Sequence, residues 1–151
     1  MRLAKKWSKL GRTAMQDQKD RVILDTNILI SLLITRDFLK FDKLITQDKV
    51  VFILSQELIE EFVEVAQRPK LKKYFAWTSV EKFILAIKNI SELINVETNI
   101  SVCRDPKDDF LLALAIDGQA THLITGDKDI LVLKKIGKAT ILTMAEYLSD
   151  K

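Results

Sequence analysis

One cysteine and one histidine are all that this chain of 151 residues offers to thiol or soft-metal chemistry. Cys103 has no partner for an internal disulfide, and together with His122 it cannot supply the four ligands of a structural zinc site. No run approaches the ~18 consecutive apolar residues that mark a membrane-spanning helix, and residues 1–21 lack the apolar core of a secretory signal. A reducing cytoplasmic location and no membrane partner are therefore expected. Proline occurs 2 times and glycine 4 times, with no repeat or low-complexity tract, so nothing marks a linker. With 48% hydrophobic residues, the chain fits one domain whose core is large enough to need no staples.

The formal charge of +3 is unevenly placed. Residues 1–21 hold Arg2, Lys5, Lys6, Lys9, Arg12, Lys19 and Arg21 against Asp17 and Asp20, so this leader carries +5 and the remainder −2. The basic pI is thus poor grounds for a broad nucleic-acid surface. Within the leader, Leu3, Trp7 and Leu10 have the spacing of a short basic amphipathic helix suited to RNA, lipid or a protein partner. Two other readings stand beside it: a tail outside the fold, or a segment made irrelevant by a start at Met15. The organisation expected is a leader over residues 1–20 and a single domain over 21–151.

Val22 to Leu24 read as a strand buried on both faces, because the run is apolar without polar alternation. Asp25 follows at its carboxyl end, the edge where open α/β sheets bind ligands. Asp25, Thr26 or Asn27 could equally cap the helix expected from about Ile28. Further along, a second helix ends near Asp48, Val50–Leu54 form a second strand, and Ser55 caps a helix over Gln56–Gln67 that Pro69 stops. A longer helix is expected over Ser79–Asn95, a third strand over Val96–Cys103, and a helix over Asp108–Gly118. His122–Thr125 and Thr140–Leu142 supply two more strands before a closing helix. Strand alternates with helix, which predicts an α/β domain on a mainly parallel sheet with helices on both faces.

On that frame three segments deliver carboxylates to one sheet edge: Asp25 after the first strand, Asp105 and Asp108 before the helix that follows the third, and Asp127 and Asp129 after the fourth. Asp105, Pro106 and Asp108 also make good helix-start chemistry, so capping accounts for at least one of them. The helix Gln56–Gln67 adds a fourth acid. At about 100° per residue, Glu61 borders the apolar stripe while Glu57, Glu60 and Glu64 point outward.

Val22-Ile23-Leu24-Asp25-Thr26-Asn27, the Ser55–Glu61 helix start, Cys103 to Asp109 and Thr125-Gly126-Asp127-Lys128-Asp129 resemble, in order and spacing, the four acidic motifs of PIN-domain ribonucleases. The branch they resemble comprises toxin components of bacterial toxin–antitoxin pairs, and the match runs from about Arg21 to Leu148. The resemblance implies a three-layer α/β/α sandwich, a metal-dependent endoribonuclease acting on RNA, an antitoxin protein as partner, and homodimers. Carried over by position, the catalytic and metal-holding acids are Asp25, Glu61, Asp108 and Asp127, with Asp129 a further metal ligand and Asn27, Asp105 and Thr125 assisting.

The residue types support that chemistry on their own terms. Crowded carboxylates repel unless a cation neutralises them, and hard oxygen ligands without sulfur or imidazole suit Mg²⁺ or Mn²⁺. Such an ion activates water and needs no protein nucleophile, which leaves His122 a structural role. Arg68, Lys70, Lys72 and Lys73, beside Tyr74, Phe75 and Trp77, could form an RNA-binding rim. The plainer reading is a cationic helix end with aromatics packed inward. Arg36, Lys40 and Lys43 form a milder second rim.

Two other classes share parts of the pattern. Phosphoaspartyl phosphatases and receiver domains also place an Asp after a first strand, but Asn27 stands where the phosphatases have a second Asp, and Glu61 has no role in either. A non-catalytic PIN-fold binding module would keep all four acids.

Overall fold

Fully apolar strands can pair in parallel only if each crossover carries a helix across the sheet, and the chain supplies one after nearly every strand. The structure, a computed structural model, describes residues 19–37 and 39–151. Leu3, Trp7, Leu10, Met15 and Phe38 lie outside the described residues, as does the side chain of Lys40. The elements run β1 (Asp20–Leu24), α1 (Thr26–Thr35), α2 (Leu39–Thr46), β2 (Val50–Leu54), α3 (Gln56–Ala66), α4 (Pro69–Lys72), α5 (Trp77–Asn89) and β3 (Ser91–Leu93). They continue with α6 (Pro106–Asp117), β4 (His122–Ile124), α7 (Lys128–Leu131), β5 (Lys135–Ile136), β6 (Ala139–Leu142) and α8 (Met144–Ser149).

The sheet has 6 strands in the order β3-β2-β1-β4-β6-β5, parallel except where β5 pairs antiparallel with β6. From β1 the chain builds outward through β2 and β3, then crosses to β4 on the other side. The space between β1 and β4 is therefore the topological switch point of the sheet. Register fixes the level of the strand ends: Val22 lies opposite Phe52 and Leu24 opposite Ile124. Asp25, Ser55 and Thr125, the next residues along each strand, consequently emerge side by side.

Two cores confirm the three-layer α/β/α arrangement. Val22, Leu24 and Phe52 pack on one face with α1, α2, α3, α5 and Tyr147, whereas Ile23, Ile53 and Leu123 pack on the other with α6 and Ile130. One strand thus serves both layers, which is why it reads as a continuous apolar run.

Three expectations need correction. The third strand is Ser91–Leu93, not Val96–Cys103, and residues 94–105 contain no strand. That segment is held by side chains of α6: Asp117 accepts hydrogen bonds from the Glu97 and Thr98 N–H groups and from the Thr98 hydroxyl. Asp109 does the same for the Val102 and Cys103 N–H groups, at 2.9 and 2.8 Å. The long helix spans Trp77–Asn89 and so begins earlier and ends earlier than Ser79–Asn95, because Ile90 leaves the helical region and leads directly into β3. A sixth strand, the two-residue β5, was not anticipated; it is too short to show alternation.

Gly118 closes α6 where space is tightest. A Cβ there would stand 2.7 Å from Cγ2 of the fully buried Ile53 and 3.0 Å from the Leu114 carbonyl oxygen. Overpacking of this kind costs ~1–3 kcal/mol. Gly118→Ala is therefore expected to lower the unfolding free energy by that amount, read in a denaturant titration as a lower midpoint with the slope unchanged.

The amino edge of the sheet has its own polar knot. The hydroxyl of the buried Tyr147 and the ammonium of Lys151 both donate to Oδ2 of Asp20, each at 2.8 Å. Burial pushes the Asp20 carboxyl up, but these two donors outweigh it and hold it below the usual carboxylate value. Such a depressed group lends stability above its unfolded pKa and loses it as pH falls through the folded one. Tyr147→Phe is expected to cost ~1.5–3 kcal/mol at neutral pH. The difference from wild type should shrink in melts taken well below pH 3.8, where Asp20 takes up its proton and only a neutral hydrogen bond is left to lose.

Candidate active site

Asp25 follows the carboxyl end of β1 and is the N-cap of α1. Its Oδ1 accepts from the Thr26 N–H at 2.6 Å, while Oδ2 accepts from the Thr125 hydroxyl at 2.7 Å. Thr125, fully buried at the end of β4, also accepts the Asp127 N–H at 3.0 Å. One hydroxyl therefore ties the loop after β4 to the acid after β1. Asp127 caps α7 by accepting from the Asp129 N–H at 2.8 Å. Thr26, beside Asp25, is buried, and its Oγ1 has no hydrogen-bond partner among the described residues.

The electrostatics bring in the other segments. Burial pushes the Asp25 carboxyl up, its two hydrogen bonds pull it down, and the charges of Glu61 and Asp127 push it up again, leaving it above the usual value. Asp108 is pushed up to about 6, first by burial and then by Asp127, Asp105, Asp25 and Asp129. Acids from α3, from the start of α6 and from after β4 thus each lie within Coulomb range of Asp25 at one edge. Glu61 is partly buried on α3, whereas Glu57, Glu60 and Glu64 are exposed, as the helical phase predicts.

The remaining residues divide. Asp105 caps α6 through the Lys107 N–H at 2.9 Å, with Pro106 in the first turn. Asp109 is committed to the 102–103 backbone, which holds its carboxyl low. Asn27 is exposed on the first turn of α1. Asp129 turns outward to Arg104, with Nη2 to Oδ2 at 3.0 Å. Arg68 pairs with Glu64 at 3.2 Å, and α4 with Lys70, Lys72 and Lys73 lies on the surface. Phe75 packs against the core, whereas Tyr74 and Trp77 are exposed, so the aromatics of that segment do not all pack inward. His122 sits at the opposite edge, its Nδ1 hydrogen-bonded to the Thr121 hydroxyl at 2.8 Å and its ring edge-on to Tyr147 at 5.0 Å. Burial lowers its pKa, in keeping with a structural role.

The donor set can be tested against the ions it would take. Among the described residues, no three Asp, Glu, His or Cys side chains converge into a cage that would hold an ion unaided. Zinc needs such a cage, whereas Mg²⁺ keeps several waters and takes one or two carboxylates plus substrate oxygens. Oxygen-only donors, spaced beyond direct contact yet coupled in charge, fit the hydrated ion.

Sequence reasoning missed two features. Arg104 carries no signal beyond its place before Asp105. A cavity of about 460 Å³ opens between α1, α2, β2 and α5, lined by Leu24, Leu33, Phe41, Phe52, Phe83 and Ile87 among others. None of the site's acids lines it. No helix among the described residues is long and apolar enough to cross a membrane.

Residues 21–129, which carry every acid of this site, match the PIN domain. The uncharacterized protein MJ1680 of Methanocaldococcus jannaschii is 35% identical over 127 residues, 82% of this chain and 81% of its own. Among solved structures, PAE2754 from Pyrobaculum aerophilum superposes with a TM-score of 0.58 at 15% identity, over 87% of this chain and 91% of that one. VapBC2 from Rickettsia felis, bound to a DNA fragment from its promoter, gives 0.51 at 13% identity over 80% and 96%. The phosphoaspartyl alternatives fall away with the family match, and the chain belongs to the PIN domain family, a family of nucleases.

Proposed function

We propose that this chain is a Mg²⁺- or Mn²⁺-dependent endoribonuclease acting in the cytoplasm as the toxin component of a toxin–antitoxin pair. The observation that carries the reading is the Coulomb coupling of Asp25, Glu61, Asp108 and Asp127, four acids delivered by four separate segments. A bound divalent ion would supply Lewis-acid activation of water and of a phosphate oxygen. Asp25 and Asp127, both oriented through Thr125, would hold it, with Glu61, Asp108 and Asp129 completing the negative field. Asp105 and Asn27 would assist from the neighbouring helix starts. Along the RNA, Arg68, Lys70, Lys72 and Lys73 would contact phosphates while Tyr74 or Trp77 stacks a base.

An antitoxin and a second copy of the chain are the proposed protein partners. We assign residues 21–151 to the catalytic domain, together with Asp20, the first residue of β1, and residues 1–18 to the leader. Because β1 begins only at Asp20, deletion of residues 1–14 should leave the melting temperature unchanged. The direct test incubates labelled RNA with wild type and with Asp25→Asn/Asp127→Asn protein, in Mn²⁺, Mg²⁺ or EDTA. Cleavage confined to wild type with a divalent ion supports the proposal. Equal cleavage by both proteins in EDTA would sink it.

A further inference from the structure

Nucleic acid carries one charge per phosphate, and the site is ringed by acids, so some cation must compensate at the carboxylates themselves. Among the described residues, the salt bridge that reaches this acidic set is Arg104 to Asp129, at 3.0 Å. Its surroundings are unusual for a surface pair. On one side of Arg104, the Val102 and Cys103 N–H groups are clamped by Asp109; on the other, Asp105 caps α6. The Asp129 backbone is likewise fixed, through its N–H to Asp127. Both backbones are held by hydrogen bonds, yet the Arg104 side chain is 90% exposed and that of Asp129 is 61% exposed. A pair so open to solvent contributes little to stability, with a typical value of about 0–1 kcal/mol, so it exchanges readily for a stronger partner. A phosphate is such a partner, because the guanidinium fork matches two of its oxygens.

We propose that Arg104 is the phosphate-positioning residue of this site: it rests on Asp129 and transfers to a backbone phosphate when single-stranded RNA enters. This rests on the nuclease reading. Asp129 is then a counter-ion that parks the guanidinium at the mouth of the site. Asp129 also keeps the empty mouth from presenting an unopposed cation.

Fluorescently labelled single-stranded RNA, titrated in Ca²⁺ buffer at several salt concentrations, reads the contact directly. Arg104→Ala should weaken binding about tenfold or more, the loss expected for a charge-assisted pair. The slope of log K against log salt should flatten by about 0.7, one phosphate contact on a single strand. Arg104→Lys, which keeps the charge without the fork, should fall between. Asp129→Asn should tighten binding in the wild-type background and have a much smaller effect in Arg104→Ala, because the gain comes from releasing the arginine. In steady-state cleavage, Arg104→Ala should raise KM more than it lowers kcat.

Wild-type Kd, KM and salt slope in Arg104→Ala would overturn the inference. So would an equal gain from Asp129→Asn in both backgrounds, which would mean simple loss of a repelling charge. RNA bound through Arg104 but never cleaved in Mg²⁺ or Mn²⁺ would instead remove the nuclease reading and leave this contact standing. No binding by the wild type removes both.

Discussion

Asp25→Asn is expected to lower RNA cleavage by about a thousandfold without lowering stability. Lewis-acid stabilisation by a catalytic ion is worth several kcal/mol, and ~4 kcal/mol is a factor of about a thousand in rate. The structure explains why folding should survive. An asparagine at 25 can still accept the Thr26 N–H through its oxygen, while its amide donates to the Thr125 hydroxyl after that hydroxyl rotates. Stability should hold or rise, because the native carboxylate sits at a position where burial, Glu61 and Asp127 all oppose its charge. A group whose folded pKa is raised favours folding where it is protonated. It gives that contribution up as pH rises through the raised value, and above that value the ionised Asp25 opposes folding. Thermal melts supply the second readout. Added Mg²⁺ or Mn²⁺ should raise the wild-type melting temperature by mass action and leave the variant's nearly unmoved. Because asparagine caps a helix as well as aspartate, a variant that melts lower than wild type without metal would show that the carboxylate charge itself stabilises the fold rather than opposing it.

How much of this was legible in the sequence depends on the scale at which each feature is written. The strand Val22–Leu24, the Ser55 cap and the Asp105-Pro106 helix start are local statements of hydrophobic run and capping chemistry, and each falls where expected. The phase of Glu61 on α3 is local too. Val96–Cys103 misled because its alternation is real but its hydrogen bonds are not to a strand. Asp109 and Asp117, eight residues apart on α6, take up those N–H groups instead, and only the folded structure shows which side chains arrive there. The same limit hid Arg104. Its partner Asp129 is 25 residues away, and no periodicity connects them. What the sequence carried about the site was the set of acids with Thr125 beside them; what it lacked was the pair of hydrogen bonds by which that hydroxyl joins two of them.

That hydroxyl makes Thr125→Val the most informative change after Asp25. Valine fills the same buried volume at the end of β4 and keeps the backbone bond from N–H 125 to the Leu142 carbonyl at 3.0 Å. It offers no oxygen, so Asp25 loses its 2.7 Å donor and the Asp127 N–H loses its 3.0 Å acceptor. An unmet partly buried N–H costs ~1–3 kcal/mol, and the melting temperature should fall accordingly. The loss at Asp25 acts further. The Thr125 bond is the larger of the two hydrogen bonds that favour the ionised carboxylate, so without it burial and the neighbouring acids push the group higher still. A more protonated, less firmly aimed Asp25 should bind a divalent ion more weakly. Losing an orienting partner of a metal ligand typically costs 10–100-fold in affinity or activity. Thr125→Ser separates the two roles: it removes only a methyl and keeps both hydrogen bonds, so it should retain most activity. Raising the metal concentration should restore cleavage partly in Thr125→Val and not in Asp25→Asn, since the first variant keeps the ligand and the second has lost it. Equal cleavage by the Val and Ser variants at limiting metal would reduce Thr125 to a structural link between β4 and α7.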